Sequence, residues 1–163
     1  MTGHREPGAE RVRDRIERLG IELPEPSRPG ANYVPFVRTG NLLVLTGQLA
    51  QWNGERRFIG KLGREFGVDG GREAARLCAL NLVAQLGAAL DGDLDRVAQC
   101  VRLTGYVNST SDFTGHSQVM NGASDLFVEL FGDAGRHTRV SIGVSGLPYD
   151  VAVEVDGMFE VRG

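Results

Sequence analysis

The segment from residue 72 to residue 90 constrains the fold more than any other part of the chain. Its apolar residues recur at spacings of three and four, the period at which side chains share one face of a helix. They are Ala75, Cys78, Leu82, Leu86 and Ala89, widened by Leu77, Val83 and Leu90. Asp91 and Gly92 follow and end the pattern. The sequence therefore predicts a long helix with one face in the core.

The rest of the chain holds five strand-like segments and a second helix. The strands are predicted over Tyr33–Arg38, Leu42–Thr46, Val97–Val107, Val140–Val144 and Val151–Val161. The second helix is predicted from Ser111 to Gly132. Its predicted buried face is Val119, Ala123, Leu126, Phe127 and Leu130. The order β-β-α-β-α-β-β is typical of an α+β domain, with two helices packed on one face of a mixed sheet.

The length of 163 residues predicts a single domain over 1–163, since domains usually hold about 100–200 residues. Residues 1–31 are expected to form an N-terminal extension. It begins with an amphipathic helix over 8–19 and continues into a proline-rich segment that has to be extended. The domain core is expected over 32–163.

Composition and charge exclude several classes of function. The net charge is −3 and no stretch is basic, which argues against nucleic acid as a partner. No apolar run approaches the about 20 residues of a membrane helix. Residues 1–7 lack the apolar core of a signal peptide, so the sequence predicts a cytoplasmic protein. Cys78 and Cys100 are expected to be buried, reduced thiols; a redox pair is the alternative, but neither residue lies in a CxxC motif.

No cofactor or metal motif is present in the sequence. His4, His116 and His137 are too scattered for a metal site. The glycine-rich stretch 67–71 lacks the lysine and hydroxyl of a phosphate-binding loop, so we interpret it as a helix start with Asp69 as the cap. The sequence predicts neither a cofactor nor a metal.

Arg139 is the first candidate for a binding residue. It shares strand parity with Ser141 and Gly143, on the side away from the apolar Val140 and Ile142, and the small residues leave room for a ligand. A guanidinium group binds a carboxylate through two parallel hydrogen bonds and stays charged at any pH. The alternative is a solvated or salt-bridged surface arginine.

Glu154 interrupts the apolar run of the last strand and is the candidate base. In a closed pocket, a partly desolvated carboxylate can orient and deprotonate a water molecule; the alternative is a surface carboxylate. Glu154 and Arg139 lie fifteen positions apart across a hairpin, so simple pairing places them on opposite faces of the sheet. A bulge, an irregular loop or a subunit interface is needed to bring them together.

Several other residues are weaker candidates for the same site. Gly47 follows Thr46 at the end of a central strand, where a glycine can admit a ligand close to the backbone. Asn121 is a pocket hydrogen-bonding group or a surface residue, and Tyr33 is a ligand wall or a core residue. His137 is a proton shuttle or, as we prefer, a polar turn residue.

Together, these segments resemble the RidA family, also called the YjgF-like or enamine/imine deaminase family and formerly endoribonuclease L-PSP. The resemblance runs from about residue 33 to residue 161. It is carried by Tyr33, by 45–49, 121–123 and 138–141, and by 147–148 and 153–155. Pro148 follows Arg139 by nine positions and Glu154 follows after six more, which matches the family signature.

The resemblance implies a chorismate mutase-like α+β fold and a homotrimer with clefts between subunits. It implies cofactor-independent hydrolysis of 2-imino or 2-aminoalkenoic acids to 2-oxo acids and ammonia, with a small carboxylate as ligand. By the same resemblance, Arg139 binds the substrate carboxylate and Glu154 positions the attacking water. Tyr33, Thr46 and Asn121 line the pocket, and backbone groups at Gly47 and Ser141 contact the ligand.

The chain also departs from the usual family pattern. Thr138-Arg139-Val140 replaces the common Ala-Arg-Ser, and Ser141 stands where cysteine is frequent. The N-terminal extension and the excursion over 53–71 resemble a longer branch of the family. These departures leave the natural substrate open. A non-catalytic carboxylate sensor on the same fold, an endoribonuclease and a structural domain are the alternatives.

Overall fold

The computed structural model describes residues 9–163. The segment 1–7 and the first residue of the predicted 8–19 helix lie outside this range. The helices are α1 (Val12–Arg18), α2 (Val68–Ala89) and α3 (His116–Phe131). The strands are β1 (Phe36–Thr39), β2 (Leu42–Leu49), β3 (Gln51–Trp52), β4 (Glu55–Arg56), β5 (Val97–Asn108), β6 (Thr138–Val144) and β7 (Val153–Val161).

Five strands form one mixed sheet in the order β1-β2-β7-β5-β6. β5 and β6 run parallel and the other neighbours run antiparallel. The parallel pair follows from the chain order, because α3 carries the chain back between β5 and β6. Helices α2 and α3 pack on one face of this sheet, as the sequence analysis predicted for an α+β fold. The short β3–β4 hairpin lies apart from the sheet and was not predicted.

The two long helices bury the faces that their apolar spacing predicts. All of the predicted α2 stripe is buried except Ala89, which is partly buried, and the predicted α3 face is fully buried. The helices touch backbone to backbone at Gly122, where a side chain would collide with the carbonyl of Arg72. Gly132 ends α3 with a φ of 60°.

Both helix starts differ from the predictions. α2 begins at Val68, with Gly67 as its N-cap and no side-chain capping bond. Asp69 therefore lies inside the first turn, and the prediction that it caps the helix was wrong. Its charge still favours the helix N-terminus. α3 begins at His116, because the residues from Ser111 form a turn first.

Strand β2 lies inside the sheet between β1 and β7, and it contains a bulge. It continues to Leu49, so the prediction that it ends at Thr46 was wrong. Its pairing with β7 shifts between Leu45 and Gln48, which leaves Thr46 and Gly47 in the irregular stretch. Pro35 lies just before the edge strand β1, where its missing N–H costs no sheet hydrogen bond.

The face of the sheet opposite the helices is partly apolar and open. Val140, Ile142 and Met158 lie on it and are 37%, 42% and 37% exposed. The apolar side of β6 therefore points away from the chain's own core, and Arg139 points toward the helices. Strand alternation separates the two sides of an edge strand, but it does not say which side the helices cover.

The N-terminal extension packs on the core. Val12 of α1 is buried, and Arg15 donates to the carbonyl oxygen of Leu130 at 2.9 Å, near the end of α3. Cys78 and Cys100 are both buried free thiols, and burial raises the pKa of each. Within residues 9–163, no helix is long and apolar enough to cross a membrane.

Candidate functional site

A cleft of about 310 Å³ brings together four of the predicted site residues. Tyr33, Thr46, Gly47 and Glu154 all line it, and we call it the Glu154 cleft. The bulge of β2 opens the cleft, because it turns Gly47 toward the neighbouring strand β7. The loop at Pro148 closes one side.

Gly47 and Glu154 fit together closely. A β-carbon at position 47 would collide with the carboxylate oxygen of Glu154 and lie 3.1 Å from its carboxyl carbon. The absence of a side chain at Gly47 therefore leaves the space that the carboxylate occupies. Burial raises the pKa of the half-buried Glu154 carboxyl, and the nearby charge of Asp156 raises it further. A carboxylate whose pKa is raised in this way is a stronger base than an exposed carboxylate.

The side chains of Tyr33 and Thr46 have different roles in the cleft. Tyr33 is 53% exposed, so it is a wall of the cleft and not a core residue. The hydroxyl of Thr46 donates to the carbonyl oxygen of Val34 at 2.7 Å. Thr46 therefore fixes the segment that carries Tyr33, and its own hydroxyl is already engaged.

The guanidinium of Arg139 is held by helix α3. Its Nη1 donates to Asn121 Oδ1 and Ser124 Oγ, each at 2.9 Å. Its Nη2 donates to the carbonyl oxygen and the hydroxyl of Ser117, each at 2.8 Å. We call these four residues the Arg139 cluster. All the acceptors are neutral, so the cation is positioned without being neutralised.

His137 belongs to the same network, although the sequence analysis interpreted it as a turn residue. Its Nδ1 lies 2.6 Å from the carbonyl oxygen of Gly135 and its Nε2 lies 2.8 Å from Ser124 Oγ. A carbonyl only accepts, so Nδ1 carries the proton and Nε2 accepts from Ser124. Burial lowers the pKa of His137, against a raising effect of the Gly135 carbonyl, and the charge of Arg139 lowers it again. The neutral imidazole thus orients the hydroxyl that holds Arg139.

Ser141 lies two residues beyond Arg139 on the same side of β6. Its hydroxyl oxygen is buried, with no hydrogen-bond partner within residues 9–163. An unpaired buried hydroxyl costs free energy unless a water or a ligand satisfies it. The structure therefore leaves a hydrogen-bonding group available on the side of β6 that carries Arg139.

The strand register places the Arg139 cluster and the Glu154 cleft on opposite faces of the sheet. Arg139 pairs with Leu103, which is buried beneath the helices. Glu154 pairs with Tyr106, three positions further along β5. Because neighbouring residues alternate between faces, Glu154 projects from the open face. One chain thus holds two separate halves of the predicted site. The sequence analysis also expected opposite faces, but from a hairpin between the last two strands. That hairpin was wrong, because β5 lies between β6 and β7.

The chemistry available in these two halves is anion binding and proton transfer. The Arg139 cluster offers a fixed positive charge, and the Glu154 cleft offers a half-buried carboxylate. Among the described residues, no group of three histidine, cysteine or acidic side chains converges in a way that could hold a metal ion. Ser117 and Ser124 were missed in the sequence, where isolated serines carry no signal.

Comparison with known proteins identifies the family. Over residues 13–157 the chain matches the family model described as "YjgF/chorismate mutase-like, putative endoribonuclease". It is 47% identical to Protein TCP17 of Trypanosoma cruzi over 153 residues, which cover 93% of this chain and 95% of that protein.

Solved structures agree with that match. The crystal structure of Atu1372 from Agrobacterium tumefaciens, a protein of unknown function, has a TM-score of 0.86 at 40% identity; the match covers 93% of this chain and 94% of that one. The crystal structure of E. coli TdcF with bound serine has a TM-score of 0.58 at 22% identity, covering 86% of this chain and 94% of that one, and shares the fold. The family match, the close relatives and the sheet topology together show that this chain belongs to the YjgF/RidA family and has its chorismate mutase-like α+β fold.

Proposed function

We propose that this protein hydrolyses reactive 2-imino and 2-aminoalkenoic acids to 2-oxo acids and ammonia without a cofactor. The observation that carries the proposal is the state of Arg139. Four hydrogen bonds to neutral acceptors fix its guanidinium, and no carboxylate neutralises it within residues 9–163. A fixed, uncompensated guanidinium is suited to bind the carboxylate of a small metabolite.

We further propose that the complete site forms between neighbouring copies in a homotrimer. Arg139 and Glu154 lie on opposite faces of the sheet, so a second copy is the direct way to bring them to one ligand. β6 is an edge strand, and Val140 and Ile142 on its open face are exposed. Exposed apolar side chains grouped on one face are typical of a surface that binds another protein.

The proposed reaction needs only binding and proton transfer. Arg139 holds the substrate carboxylate, and Glu154 takes a proton from a water molecule as its oxygen bonds to the C=N carbon. The nitrogen of the former C=N bond takes a proton from the solvent to give a carbinolamine. The proton on Glu154 then passes to this nitrogen, the C–N bond breaks, and the hydroxyl group loses its proton to the solvent as the C=O bond forms. The products are a 2-oxo acid and ammonia. The raised pKa of Glu154 suits a group that must both accept and return a proton.

A relative supports the ligand class in this proposal. The E. coli TdcF structure contains bound serine, whose carboxylate and amine are attached to the same carbon. The proposed 2-imino substrate carries its carboxylate and its C=N nitrogen at the corresponding carbon. Glu154 and Tyr33 line a cleft of about 310 Å³, a size that suits a small ligand.

The proposal is tested by competition for the imine. An L-amino-acid oxidase with catalase generates a 2-imino acid from L-leucine, and semicarbazide traps it as a semicarbazone. We expect the wild-type chain to lower the semicarbazone yield, because it hydrolyses the imine first. Arg139→Ala should lose this effect, and Arg136→Ala should keep it, since Arg136 is exposed and pairs with Asp133. An unchanged yield with the wild-type chain contradicts the proposal.

A second candidate is a sensor that binds small carboxylates without converting them. The bound serine in TdcF favours it, because that complex is of a ligand and not of a reaction product pair. A sensor binds 2-oxo acids and leaves the semicarbazone yield unchanged. The endoribonuclease of the family description requires RNA binding, which the net charge of −3 disfavours.

A further inference from the structure

The N-terminal extension supplies one wall of the Glu154 cleft. Residues 27–31 line the cleft, and two buried amides hold them there. Ser27 Oγ donates to Gln48 Oε1 at 3.0 Å, and Gln85 Nε2 donates to the carbonyl oxygen of Ser27 at 2.7 Å. Gln48 and Gln85 are 3% and 1% exposed. These bonds fix the backbone that carries Arg28 at the rim of the cleft.

The β3–β4 hairpin supplies another part of the wall and a second arginine. The guanidinium carbon of Arg56 lies 3.3 Å from the ring centroid of Tyr149. Tyr149 has a φ of 58°, and Asp150 has a φ of 57°. This left-handed pair turns the loop so that the ring faces the hairpin. Stacking holds the guanidinium by its face and leaves the in-plane N–H groups free to donate.

Neither arginine is neutralised by the protein. Among residues 9–163, Arg28 and Arg56 form no ion pair with a carboxylate, whereas the adjacent Arg57 lies 3.8 Å from Glu55. The cleft therefore holds two guanidinium groups that are available to a ligand, in addition to the carboxylate of Glu154.

We propose that the substrate carries a second anionic group, a carboxylate or a phosphate, which Arg28 and Arg56 bind. This inference rests on the proposed function, in which Arg139 of a neighbouring copy holds the first carboxylate. The substrate class is then the 2-imino derivative of an acidic 2-oxo acid. An uncharged side chain leaves both guanidinium groups without a partner, so we expect the cleft to favour acidic substrates over uncharged ones of the same size.

Two probes of equal chain length test this inference. 2-Oxopentanoate and 2-oxoglutarate differ only in a terminal methyl or carboxylate group, and isothermal titration calorimetry measures their affinities for the full chain. We expect 2-oxoglutarate to bind about tenfold more tightly, which corresponds to about 1.4 kcal/mol. 2-Oxo-4-phosphonobutyrate separates the two anion types: tighter binding than 2-oxoglutarate indicates a phosphate-like group, and weaker binding indicates a carboxylate.

Variants assign the preference to the two arginines. In the double variant R28Q/R56Q we expect the ratio of the two affinities to fall to about one. The matched control R57Q changes the neighbouring hairpin arginine, which does not line the cleft, and should keep the ratio. Equal affinities in the wild-type chain, or a preference that survives in R28Q/R56Q, overturn the inference.

The same titrations separate this inference from the proposed function. Arg139→Gln should weaken both probes by the same factor, because both carry the 2-oxo carboxylate. If Arg139 matters but the probes bind equally, the second anion site is wrong and the proposed function stands. If Arg139→Gln changes neither affinity, the proposed function is wrong, while the ratio still reports on Arg28 and Arg56.

Discussion

The Arg139 cluster and the Glu154 cleft hold charges of opposite sign in different environments. Arg139 has four neutral hydrogen-bond acceptors, all from helix α3. Glu154 is half-buried against Gly47, and its pKa is raised by burial and by the charge of Asp156. The cation is thus fixed before any ligand binds, and the carboxylate is left in a cleft where it is a better base.

The separation of these two regions in one chain fits the proposed function, which needs both charged groups to stay available. If Arg139 and Glu154 faced each other within a protomer, they would form an ion pair, which lowers the carboxyl pKa and occupies the guanidinium. Placing them on opposite faces of the sheet keeps both available. The proposed subunit cleft then brings them together only across a substrate.

Replacement of Glu154 by Gln should have the largest effect. The amide cannot accept the proton from water, so we expect kcat for imine hydrolysis to fall by about 10²–10⁴-fold. Affinity for a 2-oxo acid should change little, because Arg139 still binds the carboxylate. Steady-state kinetics and calorimetry on the same preparation separate the two quantities.

The pH dependence of Glu154 has a definite sign. In the wild-type chain, kcat should rise with pH through the raised pKa of Glu154, because only the ionised form is a base.

The pKa of Glu154 also makes the stability of the fold depend on pH. In the folded state this pKa lies above the ordinary value of 4.5. The carboxyl group therefore makes its full contribution to the free energy of unfolding below that value, and the contribution is lost as the pH rises through the folded-state pKa. Glu154→Gln should remove this loss in urea unfolding curves. A wild-type stability that instead rises across this window relative to the variant contradicts the assignment.

Replacement of Arg139 by Ala should cost about 2–5 kcal/mol in affinity for a small 2-oxo acid, because the bound carboxylate loses its partner. Calorimetry with 2-oxobutyrate measures the loss. Arg136→Ala is the matched control, since Arg136 is exposed and three residues away in the chain. Equal affinity in wild type and Arg139→Ala would exclude the role of this cluster in binding.

Replacement of Gly47 by Ala should move the carboxylate of Glu154 without changing its chemistry. The new β-carbon displaces the carboxylate, which is the far end of a flexible side chain, so the fold tolerates the change. Displacement of a catalytic group by about 1 Å can cost up to about 10²-fold in rate. We expect a reduced kcat with little change in melting temperature. A variant with full activity would show that the position of the carboxylate does not matter.

Replacement of Ser124 by Ala should have the smallest effect. It removes one of the four acceptors of Arg139 and the donor to His137. A hydrogen bond of this kind contributes about 0.5–1.5 kcal/mol, so KM should rise severalfold while kcat stays close to wild type. If kcat falls and KM does not change, Ser124 acts on the reaction itself and not through Arg139.

Local patterns in the sequence predicted the fold but not the pairing of the last two strands. The order of strands and helices follows from side-chain periodicity. Arg139 and Glu154 were expected on opposite faces because of a hairpin that does not form, since β5 separates β6 from β7. The start of α2 was predicted too late, because the glycines at 70 and 71 are poor helix formers that packing overrides. The β3–β4 hairpin has two residues in each strand, which is too short for a periodic signal.

Contacts between distant segments could not be predicted from the sequence. His137 looked like a turn residue because its partner, Ser124, lies thirteen positions away on a helix. Arg28 reaches the cleft because Ser27 binds the buried Gln48 and Gln85, which lie 21 and 58 positions further along the chain. Such contacts depend on tertiary packing, and a single sequence carries no periodic trace of them.

The central claim is that one site combines Arg139 of one copy with Glu154 of another, and mixed oligomers test it most directly. The inactive variants Arg139→Ala and Glu154→Gln are unfolded together, refolded as a mixture and assayed for imine hydrolysis. In randomly mixed cyclic oligomers, about a quarter of the interfaces combine an intact Arg139 with an intact Glu154. We predict recovery of about that fraction of wild-type activity, with none when the variants are refolded apart. A mixture that stays inactive, although the chains have exchanged, would contradict the shared site.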